Sequence, residues 1–533
     1  MQPVSYVLNT TDYRLNIMAT KEQVIGAALL FALYAAFVLY FVVKGARGTK
    51  NINDYAVGSF TFSPVFVALS LAAAMTSAAT FVINPGLIAA YGISGYISFG
   101  LVFPAASLVS LIILTKSFRK FGQSVNALSL SSWIGKKYDS KGYALFVAFL
   151  TALLIAFVVL ILVALTKVIS QALNADQIVV LGVIIAFTFG YMMFGGANSM
   201  VYTNVIQASV MVLVAVILIA SGIQFFNEGL GGFSRKLAAI DPNLITSTNP
   251  KSPLFRDFFE IILAQVIVGA AVVCQPHIIT KSLLLKKESD VNKFLIVTVI
   301  VQFLFYSVVL AGLFARIHFP DLMQNGKALN VDSIIPAYVI DVFSGGIGAL
   351  LVGLLVILGL ISAGFSTIEG LIQSLSTTIT TDIVKPLFGK NITNENRYIT
   401  INRIVIAGLA LVSFFMARNQ ILYPKLSVAI FAQNGVYAYF SILFVPIIFG
   451  IFLKNAKTKA ALSGSITALI VYYTVYYILP SMMKKGVDFG HFNLYFADKV
   501  QNPAIAAATA IVISLTVGLI VHLSNKRQEK IYG

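Results

Sequence analysis

Charge is what this chain has least of. Only 11% of its 533 residues are Asp, Glu, Lys or Arg, against roughly 25% in soluble globular proteins. That deficit excludes a cytoplasmic enzyme, a disordered scaffold and a nucleic-acid-binding domain. Cysteine is almost missing: the single Cys274, inside an apolar run, excludes a disulfide framework, a multi-cysteine metal site and an iron–sulfur cluster. No Walker-type glycine loop, zinc-ligand spacing or nucleophile elbow stands out, which argues against an ATP-driven pump or a membrane hydrolase. Short repeats and low-complexity tracts are also absent, so solenoids fall away. Residues 1–21 hold no apolar core followed by a small-residue cleavage site, and the first apolar run is therefore read as retained.

What is present is apolar surface. Hydrophobic residues make up 58% of the chain and the mean hydropathy is +0.90. At roughly 20 apolar residues per bilayer crossing, this fills a dozen or so spanning helices and leaves no room for a separate soluble domain. Runs of crossing length lie near 22–43, 62–90, 95–114, 142–173, 178–194, 200–225, 258–280, 294–315, 346–383, 399–417, 426–452, 460–479 and 504–523. A net charge of +17 would suggest nucleic acid in a soluble protein, but here it is read as the positive-inside bias of short loops. Alternate loops carry Lys44, Arg47 and Lys50; Lys116, Arg119, Lys120, Lys136, Lys137 and Lys141; Lys281, Lys286 and Lys287; Lys385, Lys390 and Arg397; Lys454, Lys457 and Lys459; and, in the tail, Lys526, Arg527 and Lys530. With an odd number of crossings, this places the C-terminus in the cytoplasm and the N-terminus outside. Two long loops, 227–257 and 317–344, then fall on the outer side and are expected to hold short surface helices.

Within hydrocarbon each unsatisfied backbone group costs several kcal/mol, so a spanning helix is interrupted only where protein or a water-filled cavity accepts the freed groups. Run 62–90 contains Ala72-Ala73-Ala74-Met75-Thr76-Ser77-Ala78-Ala79-Thr80 and then Asn84-Pro85-Gly86. Small residues and hydroxyls ended by a Pro-Gly breaker free carbonyl oxygens that suit a small hard cation. Close helix packing through small residues accounts for the same letters, and both readings stay open. In run 346–383, Ser366 and Thr367 follow Ala363 by three and four residues, which puts three oxygens on one helical face. Hydroxyls in membrane helices also bond their own preceding carbonyls. Glu369 is harder to set aside, because an acid at mid-span costs about 2.5–3.5 kcal/mol on insertion scales and marks function by default. Cys274-Gln275-Pro276-His277 combines a lost backbone donor with two polar groups, Gln433-Asn434 interrupts run 426–452, and Asn204 with Gln207 interrupts run 200–225. Together these breaks describe a polar cavity in an apolar shell, the anatomy of a solute carrier. Lys167, toward the outer end of its run, is read as snorkelling.

These residues resemble the sodium:solute symporter family, which includes bacterial proline, pantothenate, monocarboxylate and sialic acid carriers and the sodium/glucose cotransporters. The likeness spans most of the chain. It rests on Asn53-Asp54-Tyr55; Phe194-Gly195-Gly196 followed by Thr203-Asn204 and Gln207; Gln275-Pro276-His277-Ile278-Ile279; and Ala363, Ser366-Thr367 and Thr381-Asp382-Ile383. The resemblance implies an all-α polytopic membrane protein of about thirteen transmembrane helices with a leucine-transporter-type core of two inverted five-helix repeats over 62–453. Residues 1–61 would supply an outer segment, the first helix and a cytoplasmic loop, and 454–533 two extra helices and a short cytoplasmic tail.

It also implies a sodium ion held by carbonyls of Ala73, Thr76 and Ala363 and by the hydroxyls of Ser366 and Thr367, with substrate contacts at Thr80, Gln275, His277 and Gln433. Two positions depart from the family pattern. Asn204 stands where Asp is usual after Thr203, and Glu369 where a small or hydroxyl residue is usual. The expectation is that Glu369, with Ser366 and Asn204, forms a second cation or proton site. The implied function is sodium-coupled secondary uptake by alternating access at the plasma (inner) membrane. A small organic anion, a monocarboxylate or pantothenate-like, is favoured by Gln275-Pro276-His277 and Ile240-Asp241-Pro242. A symporter for an amino acid or sugar, a proton-coupled carrier, a non-transporting sensor and a channel stay open. The expected partners are sodium, a small solute and the lipid bilayer, with no nucleic acid and no cofactor beyond the coupling ion, and the chain is expected to act as a monomer rather than as an enzyme.

Overall fold

Thr20 starts the first spanning helix, α1 (Lys21–Ala46), with a reciprocal cap. The backbone N–H of Gln23 donates to the Thr20 hydroxyl at 3.3 Å, and the Thr20 N–H donates to the Gln23 side chain at 2.7 Å. The computed structural model describes residues 19–324, 326–389, 397–423, 428–453, 455–497 and 501–532. Lys390 and Lys454 of the basic set, and residues 1–18, lie outside these. After α1 the chain runs through α2 (Pro64–Met75), α3 (Ala79–Tyr91), α4 (Ile93–Ser124), α5 (Lys141–Leu173) and α6 (Gln177–Phe226). It continues through α7 (Phe259–Val272), α8 (Pro276–Leu284), α9 (Asp290–His318), α10 (Gly346–Phe388), α11 (Arg397–Leu422), α12 (Val428–Phe452), α13 (Thr458–Lys484) and α14 (Pro503–Arg527). Ten of these helices are long and apolar enough to cross a membrane singly; α2 with α3 and α7 with α8 pass only as pairs, bent by 55° and 56°. Exposed Leu33, Ile300, Phe303 and Leu411 turn apolar faces outward, the arrangement hydrocarbon requires.

The 50-residue α6 takes in two of the apolar runs, and it is interrupted at Gly196 (φ 62°, ψ −159°). A side chain there would press on Tyr55, with the added carbon 2.7 Å from its ring and 2.9 Å from its Cα. Asn198 locks the break by accepting from the N–H groups of Ser59 and Phe60 at 3.0 and 3.1 Å. The Asn53-Asp54-Tyr55 and Phe194-Gly195-Gly196 segments, apart in sequence, therefore meet here.

The break in run 62–90 lies earlier than the Pro-Gly pair. Helical geometry is lost at Thr76 (φ −101°, ψ 87°), whereas Pro85 sits inside α3 just after a π-turn at Ala79–Ile83. The widened turn tolerates the missing proline N–H. Gly86 serves close approach instead: a Cβ there would stand 2.1 Å from the Val331 carbonyl oxygen. Pro276 does follow its break directly, as the first residue of α8.

Loop 227–257 holds helix Gly229–Ile240 and a 3-10 turn at Pro242–Ile245. Loop 317–344 holds helix Ile334–Val342 and a two-stranded hairpin, β1 (Met323–Gln324) with β2 (Lys327–Ala328), which periodicity did not suggest. Both loops pack against α3, at Leu244 beside Gly92 just past its end and at Val331 beside Gly86 in its middle. At the centre α2 packs against α6, α8, α9 and α10, so the first break is enclosed on several sides.

Candidate functional site

Where α2 unwinds, its last carbonyl groups lack helical partners, and α10 lies against them. The Ser366 hydroxyl is 2.8 Å from the Ala73 carbonyl oxygen and 3.1 Å from that of Ala363. The Thr367 hydroxyl is 3.1 Å from the Ala74 carbonyl oxygen and 3.2 Å from that of Ala363. Ala73, Ala74, Ala363, Ser366 and Thr367 are all fully buried. Three carbonyls and two hydroxyls from two helices thus form one oxygen cluster, and Ala74 is a member the sequence did not single out. Thr76 is at the same break, with its hydroxyl accepting from Gln302 of α9 at 2.8 Å. A donor set of neutral oxygens, without nitrogen, sulfur or carboxylate, suits a hard monovalent cation better than a transition metal.

A cavity of about 100 Å³ lies beside this break. Thr80 of α3, Gln275 and His277 at the α7–α8 break and Gln433 of α12 all line it, with Asn84 and a wall of aromatic rings that includes Phe99, Phe157, Tyr306 and Tyr437. Among the described residues that line it there is no lysine, arginine or carboxylate. Gln275 donates to the Val272 carbonyl at 3.1 Å, which leaves its Oε1 buried without a hydrogen-bond partner, as is Nδ1 of His277. Buried polar atoms are seldom left so, and these two border open space. Asn434, next in sequence, turns away to α13, where its amide donates to the Tyr477 hydroxyl at 2.5 Å.

Glu369, fully buried on α10, heads a second polar cluster. It accepts from the hydroxyls of Tyr191 at 2.5 Å and Thr203 at 2.6 Å and from the Gln207 amide at 3.1 Å. With its amide turned to satisfy its neighbours, Asn204 donates to Glu369 at 3.2 Å and to Gln207 at 2.9 Å. Its oxygen then accepts from Ser70 at 3.1 Å and from the Lys281 ammonium at 2.8 Å. Ser366 is not part of this cluster; its hydroxyl serves Ala73 and Ala363.

Lys281, which the loop-charge reading placed on the cytoplasmic side, is 3% exposed and donates to the Ser70 carbonyl and hydroxyl at 3.0 and 2.7 Å. Arg119 of the same basic set is also buried, donating to the Leu285 carbonyl at 2.8 Å. Lys167 does not snorkel but pairs with Asp332 of the second loop at 3.0 Å. Ser70, Tyr191 and Lys281 escaped the sequence reading. The one signal for Lys281 was its place a single turn after His277.

A family model described as the sodium:solute symporter family matches residues 55–468. The chain belongs to the sodium:solute symporter family. It is 26% identical over 449 residues to the sodium/pantothenate symporter of Escherichia coli (strain K12), covering 81% of this chain and 86% of that one. It is 24% identical over 489 residues to the sodium/proline symporter of Staphylococcus aureus (strain Newman), covering 87% and 89%. The solved structure of a Na+-coupled sialic acid symporter matches with a TM-score of 0.73 at 18% identity, over 93% of this chain and 97% of that one. The fold expected from the sequence is therefore shared with a solved sodium-coupled carrier. Family membership makes this a polytopic membrane transporter rather than an enzyme.

Proposed function

We propose that this member of the family takes up a small organic solute by coupling its movement to inward sodium flow. The observation that carries the reading is the buried cluster of five neutral oxygens, two of them hydroxyls and three carbonyls, between unwound α2 and intact α10. A sodium ion there ties the two helices together and sets the angle at which α3 presents Thr80 to the cavity. Ion and solute then raise each other's affinity, by about 1–3 kcal/mol of coupling in typical cases. Ala73, Ala363, Ser366 and Thr367 are the sodium ligands of this reading, with the carbonyl of Thr76 or Ala74 completing the set.

Thr80, Gln275, His277 and Gln433 are its solute contacts. The neutral lining favours a solute held by hydrogen bonds. The free Gln275 oxygen calls for a hydroxyl or amide donor on the solute, the His277 ring nitrogen accepts or donates according to its tautomer, and amide N–H groups receive a carboxylate. A hydroxylated or amide-bearing small anion meets both demands, in line with the pantothenate-like solute expected from the sequence. On this reading Gly196 divides α6 into two crossings and the total is thirteen; the loop charges then favour an outer N-terminus and a cytoplasmic C-terminus, and the protein works as a monomer in the plasma membrane.

The test is sodium binding to purified protein in detergent. Wild type should bind sodium in preference to choline, and Ser366→Ala/Thr367→Ala should weaken binding by at least about tenfold, the loss of roughly 1.4 kcal/mol of ligand interaction. Equal sodium binding by the wild type and the double variant would defeat the reading.

A further inference from the structure

Lys281 and Glu369 are opposite charges enclosed in the same part of the molecule, 3% and 0% exposed, and neither belongs to the oxygen cluster assigned to sodium. An ammonium has three hydrogens to donate, and Lys281 meets three acceptors: the Ser70 carbonyl at 3.0 Å, the Ser70 hydroxyl at 2.7 Å and the Asn204 amide oxygen at 2.8 Å. Glu369 meets donors alone, from Tyr191, Thr203, Gln207 and Asn204. Asn204 stands between them with its oxygen toward the cation and its nitrogen toward the anion, so the amide dipole links the two charges. Burying either ion by itself would be prohibitive, and a paired, hydrogen-bonded arrangement is what makes the burial tolerable. The cluster joins three elements of the ion site and the solute site. Ser70 is one turn before Ala73 on α2, Glu369 is one turn after Ser366 on α10, and Lys281 is one turn after His277 on α8.

We propose that the Lys281 ammonium is a built-in cation that occupies the place a second coupling ion would take beside Glu369, so that this chain carries a single sodium. The inference rests on the sodium reading above. A tethered cation cannot be exchanged with solvent; it supplies positive charge to the Glu369 cluster in every state and leaves the Ser366–Thr367 cluster as the site whose occupancy changes. The carboxylate set apart in the sequence is thereby matched by a partner from another helix instead of by a second ion.

Equilibrium binding of radiolabelled sodium to the purified full chain tests this. Wild type should bind one sodium per protein with a Hill coefficient near one. Lys281→Gln should open the place beside Glu369, raising the count to two with a Hill coefficient above one. Lys281→Gln/Glu369→Gln should return it to one. A count of two in the wild type, or of one in folded Lys281→Gln, would overturn the proposal while leaving the sodium reading intact. A wild type that binds none would overturn both. If Lys281→Gln does not fold, Glu369→Gln decides. A count still at one with affinity about tenfold weaker, from an ammonium left uncompensated near the ion, supports the built-in cation, and unchanged affinity refutes it.

Discussion

Ser366 and Glu369 stand one helical turn apart on α10 and serve different clusters, one facing the α2 carbonyls and the other facing Tyr191 and Thr203. Roles in this protein are thus set residue by residue. Gln275 and Gln433 border the cavity beside the α2 break, which is the proposed solute site, and take no part in the oxygen cluster. Replacing either with Ala should raise the KM for the solute by about tenfold, the worth of roughly 1–1.5 kcal/mol for a hydrogen bond, with sodium binding unchanged. Transport assays run beside sodium titrations separate the two effects.

Asp241, in the Ile240-Asp241-Pro242 segment that favoured an organic anion, accepts from Lys251 at 2.9 Å and from the Asn243 N–H at 2.9 Å. Those donors hold its carboxyl down at about 2, the Lys251 contact contributing most. Because the folded value lies below the unfolded one, the clasp is fully present above about pH 4 and is lost as the pH falls toward 2. Its lysine is largely exposed, so Asp241→Asn should cost at most about 1 kcal/mol at neutral pH, read as a small drop in the melting temperature that vanishes in acid. Asp241 is not among the residues lining the cavity, and its contacts form a loop clasp.

At the scale of elements, breaks matter more than helices. Gly196 combines a positive φ with a backbone packed on Tyr55. Gly196→Ala should therefore destabilise by about 1–3 kcal/mol or more, whereas Gly182→Ala in the same helix, with open space around it, should stabilise by roughly 0.5–1 kcal/mol. Thermal unfolding of the detergent-purified variants distinguishes them. The Pro-Gly pair in α3 was the stronger breaker on paper, yet the helix opens at Thr76. There a neighbour is ready for the freed groups: Gln302 takes the Thr76 hydroxyl and Ser366 takes the Ala73 carbonyl. Pro85 falls where a π-turn already spares its missing bond. What a helix can lose is decided by what stands opposite the loss.

For the whole molecule, the near-equal bends of 55° and 56° would open two successive sets of five crossings on the proposed reading that divides α6 at Gly196. The expected orientation is checked in a Cys274→Ala background. Lys251→Cys should react with a membrane-impermeant maleimide on intact cells, and Lys526→Cys only after permeabilisation. Reaction of Lys526→Cys on intact cells, with Lys251→Cys silent until permeabilisation, would reverse the assignment of the two ends, and reaction at both would overturn the number of crossings between them. Lys281 and Arg119 are lost to the interior, while Lys116 and Lys120 stay exposed on the last turns of α4 and Lys286 and Lys287 stay exposed just after α8, so those four are the charges on which the expected orientation rests there.

Composition and spacing by themselves determined that the chain is helical and membrane-spanning and which polar residues fall within its apolar runs, but not where the helices open: Asn204 with Gln207 and Gln433 with Asn434 lie inside unbroken helix. Hydrocarbon leaves a chain of this composition few other solutions, and motifs on Ala363, Ser366, Thr367, Gln275 and Gln433 are local enough to be seen in one dimension. Tertiary structure alone decided the partners. Ala74 joins Thr367, Lys281 turns inward to Ser70 and Asn204, Lys167 finds Asp332, and Glu369 is satisfied by Tyr191 and Thr203 instead of by Ser366. Each of these depends on residues brought together from distant crossings, and the electrostatic cost of a buried charge is set by the groups that surround it in space, which sequence distance does not record.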